Sequence, residues 1–115
     1  MPSPSAMLLR LQMHLAKPIV RFAGINAARK AQDNLGKISA RILESKVTYR
    51  DVSFPEFSAS WAEPLGCAHK DTHAVLYLHG GGYTAGGLDY AKGFGGVLAA
   101  ETGLKFFCVA YRLAP

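Results

Sequence analysis

At 115 residues, half of them apolar and 18% charged, the chain has the size and composition of one soluble globular domain. Its 12 Gly and 6 Pro follow no period and its 2 Cys cannot staple a fold, which excludes collagen-like, low-complexity and disulfide-scaffold classes. The net charge of +5 is uneven, with +7 in residues 1–50, −2 in residues 51–115, and no acidic residue before Asp33.

The basic half does not read as a nucleic-acid surface. Such a surface interleaves aromatics with its Lys and Arg, and Phe22 is the only aromatic before Tyr49. A transit peptide would be rich in Ser, yet only Ser3 and Ser5 precede Ser39. The early apolar run ends at Arg10, and nothing approaches the ~18 apolar residues of a membrane span. The expectation is a surface helix of a cytoplasmic protein with no membrane span and no nucleic-acid partner.

In chain order, apolar residues recur at helical spacing over residues 5–16 and again over 18–42, through Ile19, Phe22, Ala23, Ala27, Ala31, Leu35, Ile38 and Ile42. Pro18 suits the first position of the second helix, where its missing N–H costs nothing, and Gly36 predicts a break within it. Near residue 45 the period changes to alternation, giving a strand over 46–54 and a second over 57–61. Residues 74–78 are continuously apolar, as in a central strand covered on both faces. An amphipathic helix over 88–101 follows, then Gly103 as its C-cap and an apolar strand over 104–110, so residues 74–110 form a βαβ unit.

Between the first of those strands and the helix lies His79-Gly80-Gly81-Gly82-Tyr83-Thr84-Ala85-Gly86-Gly87, five glycines in nine residues. Such a loop bares main-chain N–H groups and takes positive φ, which is what presenting donors to an anion requires. The anion is either a phosphate or a developing oxyanion. Gly80 to Ala85 satisfy G-x-G-x-x-A, so a small nucleotide- or anion-binding α/β module is the alternative, with Arg112 available to a 2′-phosphate. Gly86 and Gly87 delay the helix that this fingerprint should open at once, and no Gly-Lys-Ser/Thr follows to make a P-loop. Cys67 and Cys108 stand in no CxxC spacing, and the turn at Asp71 and Thr72 separates His69 from His73, so no metal site is expected.

Two motifs then stand in order, HGGGY at 79–83 and YRLAP at 111–115, each after an apolar strand and with a helix between them. Together they resemble the hormone-sensitive-lipase-like esterases and lipases of the α/β-hydrolase fold, whose HGGG-type loop contributes to the oxyanion hole. The resemblance implies an α/β chain comprising the N-terminal part of that fold: a cap-like helical segment over 1–44 and the start of the hydrolase core over 45–115. It implies a carboxylic ester hydrolase acting on a small-molecule ester without a cofactor. Gly81 and Gly82 match the oxyanion donors, while Gly80 and His79 match loop-shaping positions; Tyr83 packs beside the loop, and Tyr111 and Arg112 are structural, Arg112 holding carbonyls or a carboxylate. The family's nucleophile, acid and catalytic His follow YRLAP, and no Ser follows Ser60 here. These 115 residues alone are therefore expected to be inactive, with an unpaired edge on the final strand through which copies associate.

Overall fold

The computed structural model describes residues 1–66 and 73–115, with Val20 described by its backbone alone. Cys67, His69 and the expected turn at Asp71 and Thr72 lie outside the described residues. In chain order the elements are α1 (Pro4–Phe22), α2 (Ile25–Ile42), β1 (Val47–Ser53), β2 (Ser58–Pro64), β3 (Ala74–Leu78), α3 (Leu88–Thr102) and β4 (Lys105–Ala110). The strands form one sheet in the order β1-β2-β4-β3, antiparallel except for the parallel pair β3 and β4.

Helix α1 starts where Ser3 accepts the Ala6 N–H at 3.2 Å, and it runs through Pro18 instead of ending there. Pro18 removes one ladder donor, but its neighbours keep helical geometry. The break falls at Ala23 and Gly24, whose ψ values of 122° and 166° are extended, and the Gly24 carbonyl accepts the first N–H groups of α2. Met7, Leu8, Leu11 and Leu15 of α1 are exposed. Among the described residues no helix is long and apolar enough to cross a membrane.

Gly36 does not break α2. It is buried against the first turn of α3, where an added Cβ would strike the Asp89 carbonyl and the Tyr90 Cα, and a Cβ on Gly93 would strike Gly36 in return. The two helices therefore cross backbone to backbone. On its other side α3 lies equally close to the sheet, with Gly95 over the Cys108 thiol and Gly96 over the Tyr49 hydroxyl. A helix expected to be amphipathic is thus held between two layers, and its buried positions are all Ala or Gly. Gly103, at φ 72°, ends it as expected.

The core under α3 is Val47, Ala62, Ala91, Ala99, Phe106 and Cys108, edged by Leu43, Tyr49, Val75 and Tyr77. Burial pushes the Cys108 thiol up to about 12 from its ordinary 9.0, and it pushes the Tyr49 phenol up to about 12 from 10.0, with a smaller contribution from Cys108. The opposite sheet face carries an aromatic cluster: Trp61 lies 4.7 Å from Phe107, and Phe54 lies 4.6 Å from Phe57.

Among the described residues strand β3 has a partner strand on one side, β4. It forms the edge of the sheet and leaves Leu76 and Leu78 exposed, 63% and 59%. The final strand, expected to end the sheet with an open edge, is paired on both sides, because β2 joins it antiparallel and β3 parallel. The free apolar edge belongs to the first strand of the βαβ unit.

Two outcomes are expected. Cys108 and Tyr49 stay protonated when folded but ionise from about 9 and 10 when unfolded, so their contribution is complete at neutral pH and is lost as pH climbs toward about 12. Thermal unfolding should show a midpoint that is flat near neutrality and falls beyond pH 9, with a shallower fall in Cys108→Ala. The 115-residue chain should associate through β3, and size-exclusion chromatography should show Leu76→Lys shifted toward monomer.

Candidate functional site

Between β3 and α3 the chain makes a tight, glycine-dependent turn. The Gly81 carbonyl accepts the Thr84 N–H at 3.3 Å, the Ala85 N–H at 3.1 Å and the Thr84 hydroxyl at 3.4 Å. That closure puts Gly81 at φ 141°, Gly82 at 62° and Tyr83 at 59°. At Gly81 any Cβ would run into the Ala85 carbonyl, so the position admits no side chain. Among the described residues the N–H groups of Gly81 and Gly82 donate to no acceptor.

His79 closes the base of the loop. It is 3% exposed, its ring stacks on Tyr111 at 4.4 Å and 10°, and the edge of Tyr90 lies 5.9 Å away. Its Nδ1 is 2.9 Å from the Gly80 carbonyl, which can only accept, so Nδ1 carries the proton and donates. Nε2 is buried and has no partner among the described residues. The Tyr111 hydroxyl donates to the His79 carbonyl, so ring and backbone of one residue are gripped by the same side chain. A Cβ at Gly86 would strike the imidazole, which accounts for the fourth glycine of the loop. The His79 ring is thus enclosed by Tyr111, Tyr90 and Gly86.

Two further residues depart from expectation. Tyr83 packs little beside the loop: the residue is 75% exposed, its ring meets that of Tyr111 at 6.5 Å, and its carbonyl accepts the Ala114 N–H at 2.7 Å. Arg112 is exposed and holds no carbonyl or carboxylate among the described residues. Arg29 does that work instead. From α2 its Nε donates to the Thr84 carbonyl at 2.7 Å and its Nη2 to the Ala114 carbonyl at 2.9 Å, tying the loop to the segment after β4.

Sequence reasoning missed Arg29, and with it Asp33, whose Oδ1 accepts the Gly87 N–H at 3.0 Å. Gln32 lies between them, its Oε1 buried without a donor among the described residues and 3.4 Å from where a Gly81 Cβ would stand. Residues 29, 32, 33 and 36 share one helical face. The available signal was that polar face; the apolar stripe of α2 drew attention, and Leu35, Ile38 and Ile42 are exposed.

Chemically, the arrangement offers two backbone donors with no acceptor among the described residues, on a turn that leads to a carboxylate at the start of α3. That carboxylate, Asp33, already takes the Gly87 N–H that a dinucleotide fingerprint would turn toward a phosphate, which disfavours the dinucleotide alternative. Among the described residues no group of three His, Cys, Asp or Glu side chains is placed to hold a metal ion.

Comparison with known proteins bears on the fold. A family model described as alpha/beta hydrolase fold matches residues 75–115. Over 42 residues the chain is 50% identical to the ethyl acetate hydrolase of Pseudomonas putida, a stretch covering 36% of this chain and 13% of that enzyme. Its structure is similar to that of a hyperthermophilic esterase from the archaeon Pyrobaculum calidifontis, with a TM-score of 0.72 at 24% identity, over 100% of this chain and 38% of that one. It is also similar to an ester hydrolase from the metagenome of Lake Arreo, with a TM-score of 0.70 at 22% identity, over 100% and 39%. The chain spans less than two fifths of the length of these esterases.

The Tyr111 grip is testable by denaturant unfolding. Tyr111→Phe keeps the stack and loses one hydrogen bond, for an expected loss of about 1 kcal/mol. Tyr111→Ala loses both and should cost about 2 kcal/mol or more.

Proposed function

We propose that this chain, which has the N-terminal part of the α/β-hydrolase fold and resembles the hormone-sensitive-lipase-like esterases, supplies the oxyanion-binding loop of a serine carboxylesterase. The observation that carries the reading is the pair of N–H groups at Gly81 and Gly82 that have no acceptor among the described residues, on a turn whose positive φ angles hold them free of the loop's own carbonyls. In acyl transfer a serine oxygen attacks the ester carbonyl carbon while a histidine takes its proton. The carbonyl oxygen becomes an oxyanion, and donors already in place stabilise that charge without reorganising. Collapse expels the alcohol, and water then releases the acid from the acyl-enzyme.

In this scheme Gly81 and Gly82 donate to the oxyanion, Gly80 and His79 shape the loop, and the substrate is a small-molecule ester of short or medium acyl length. No cofactor takes part. Ser60 is not the nucleophile, since it is fully buried in β2 under α3. The nucleophile, acid and base lie outside these residues, so the 115 residues alone hydrolyse no ester. Of the two N-terminal helices, α1 serves as the cap element, while α2 belongs with the loop. The protein works in the cytoplasm, where Cys108 stays a free thiol.

The test is hydrolysis of a chromogenic short-chain ester by the product of the complete reading frame. Activity is expected there and not in residues 1–115. Gly81→Ala, which forces the turn open, should lower kcat by about 10²-fold or more, the scale of one lost oxyanion donor. Wild-type kcat in the variant would remove Gly81 from the site.

A further inference from the structure

We propose that α2 is a positioning element for the oxyanion loop, acting through Arg29 with Asp33 and Gln32; this rests on the esterase reading above. The loop from residue 79 to 87 leaves its tight turn at Thr84 and enters α3 at Gly87, and α2 holds both points. Arg29 takes the Thr84 carbonyl at 2.7 Å, and Asp33, one helical turn on, takes the Gly87 N–H at 3.0 Å. Between them Gln32 lies against Gly81 itself. One turn further, Gly36 meets the backbone of Asp89, Tyr90 and Gly93.

Helix and chain therefore run side by side in register: position 29 with 84, 33 with 87, and 36 with 89 and 90. Each bond is charge-assisted, the stronger class of hydrogen bond, and each acts on main chain, so it sets where the backbone goes. The Arg29 guanidinium also binds the Ala114 carbonyl, while Ala114 donates to the Tyr83 carbonyl. Residues 83, 84 and 114 are thereby fixed to one side chain, next to the two N–H groups assigned to the oxyanion. Donors displaced by a fraction of an ångström lose much of their effect on a transition state while substrate still binds. The loss on removing Arg29 should therefore fall on kcat.

The experiment uses the product of the complete reading frame with 4-nitrophenyl acetate. Arg29→Ala is expected to lower kcat by about 10- to 100-fold with KM within about threefold, and Asp33→Asn to lower it by less. Arg29→Lys, which keeps the charge but not the fork, should recover only part of the rate. Added ethylguanidinium should restore kcat in Arg29→Ala in a concentration-dependent way and leave wild type unchanged, a response that a purely structural role would not give. If Arg29→Ala does not fold, Asp33→Asn and Arg29→Lys, checked by thermal melting, carry the decision. Folded variants with wild-type kcat, a loss confined to KM, or a kcat loss without guanidinium rescue would each overturn the proposal. A wild-type product inactive on esters would remove the esterase reading and this inference with it, whereas an active wild type with indifferent variants would remove this inference alone.

Discussion

The backbone-to-backbone crossing of α2 and α3 at Gly36 and Gly93 is the constraint on which the rest of the molecule depends. No side chain separates the helices there, so α2 lies close enough for the side chains of Arg29 and Asp33 to reach the loop that precedes α3. On the far side of α3, Gly95 and Gly96 repeat the arrangement against Cys108 and Tyr49 of the sheet. Glycine costs roughly 1 kcal/mol per helical position relative to Ala, and α3 carries three. Close approach of three backbone layers at these positions offsets that cost through packing.

From this follows the character of the candidate site. It is made of main chain, and side chains serve it from behind. His79 and Tyr111 hold its base, Arg29 its middle and Asp33 its exit, while Gly81 and Gly82 keep their N–H groups free. The Asp33 carboxylate neutralises the start of α3, so the positive end of that helix is already answered within the fold. Among the described residues, the N–H groups of Gly81 and Gly82 are what the loop leaves without an acceptor.

The sheet tells a complementary story. Its helix-covered face carries Val47, Ala62, Phe106 and Cys108 with Tyr49 and Tyr77 at their edge, and its other face carries Trp61, Phe107, Phe54 and Phe57, with Arg50 lying over Trp61 at 5.9 Å. Leu76 and Leu78 extend that apolar surface to the open edge at β3. The resemblance to esterases of more than twice this length agrees with a sheet whose second face and free edge both ask for cover.

Much of this was legible from residues alone, because local rules are strong where they are short-ranged. Periodicity marked seven elements, although it divided the first two helices at Pro18 and the chain divides them at Ala23 and Gly24; Gly103 ended α3, and the glycine density of residues 79–87 marked the loop. The paired HGGGY and YRLAP motifs pointed to the hydrolase fold. Tertiary structure decided what depended on partners distant in sequence. Gly36 reads as a break until Gly93 is laid against it, and the final strand reads as an open edge until β2 and β3 pair with it on both sides. The working face of α2 is its polar one, invisible to a rule that looks for apolar stripes, because it grips carbonyls and N–H groups 54 and 55 residues away. Local sequence thus determined which elements form and where the loop lies. Only packing decided which face of each element turns inward, since a face is chosen by what meets it.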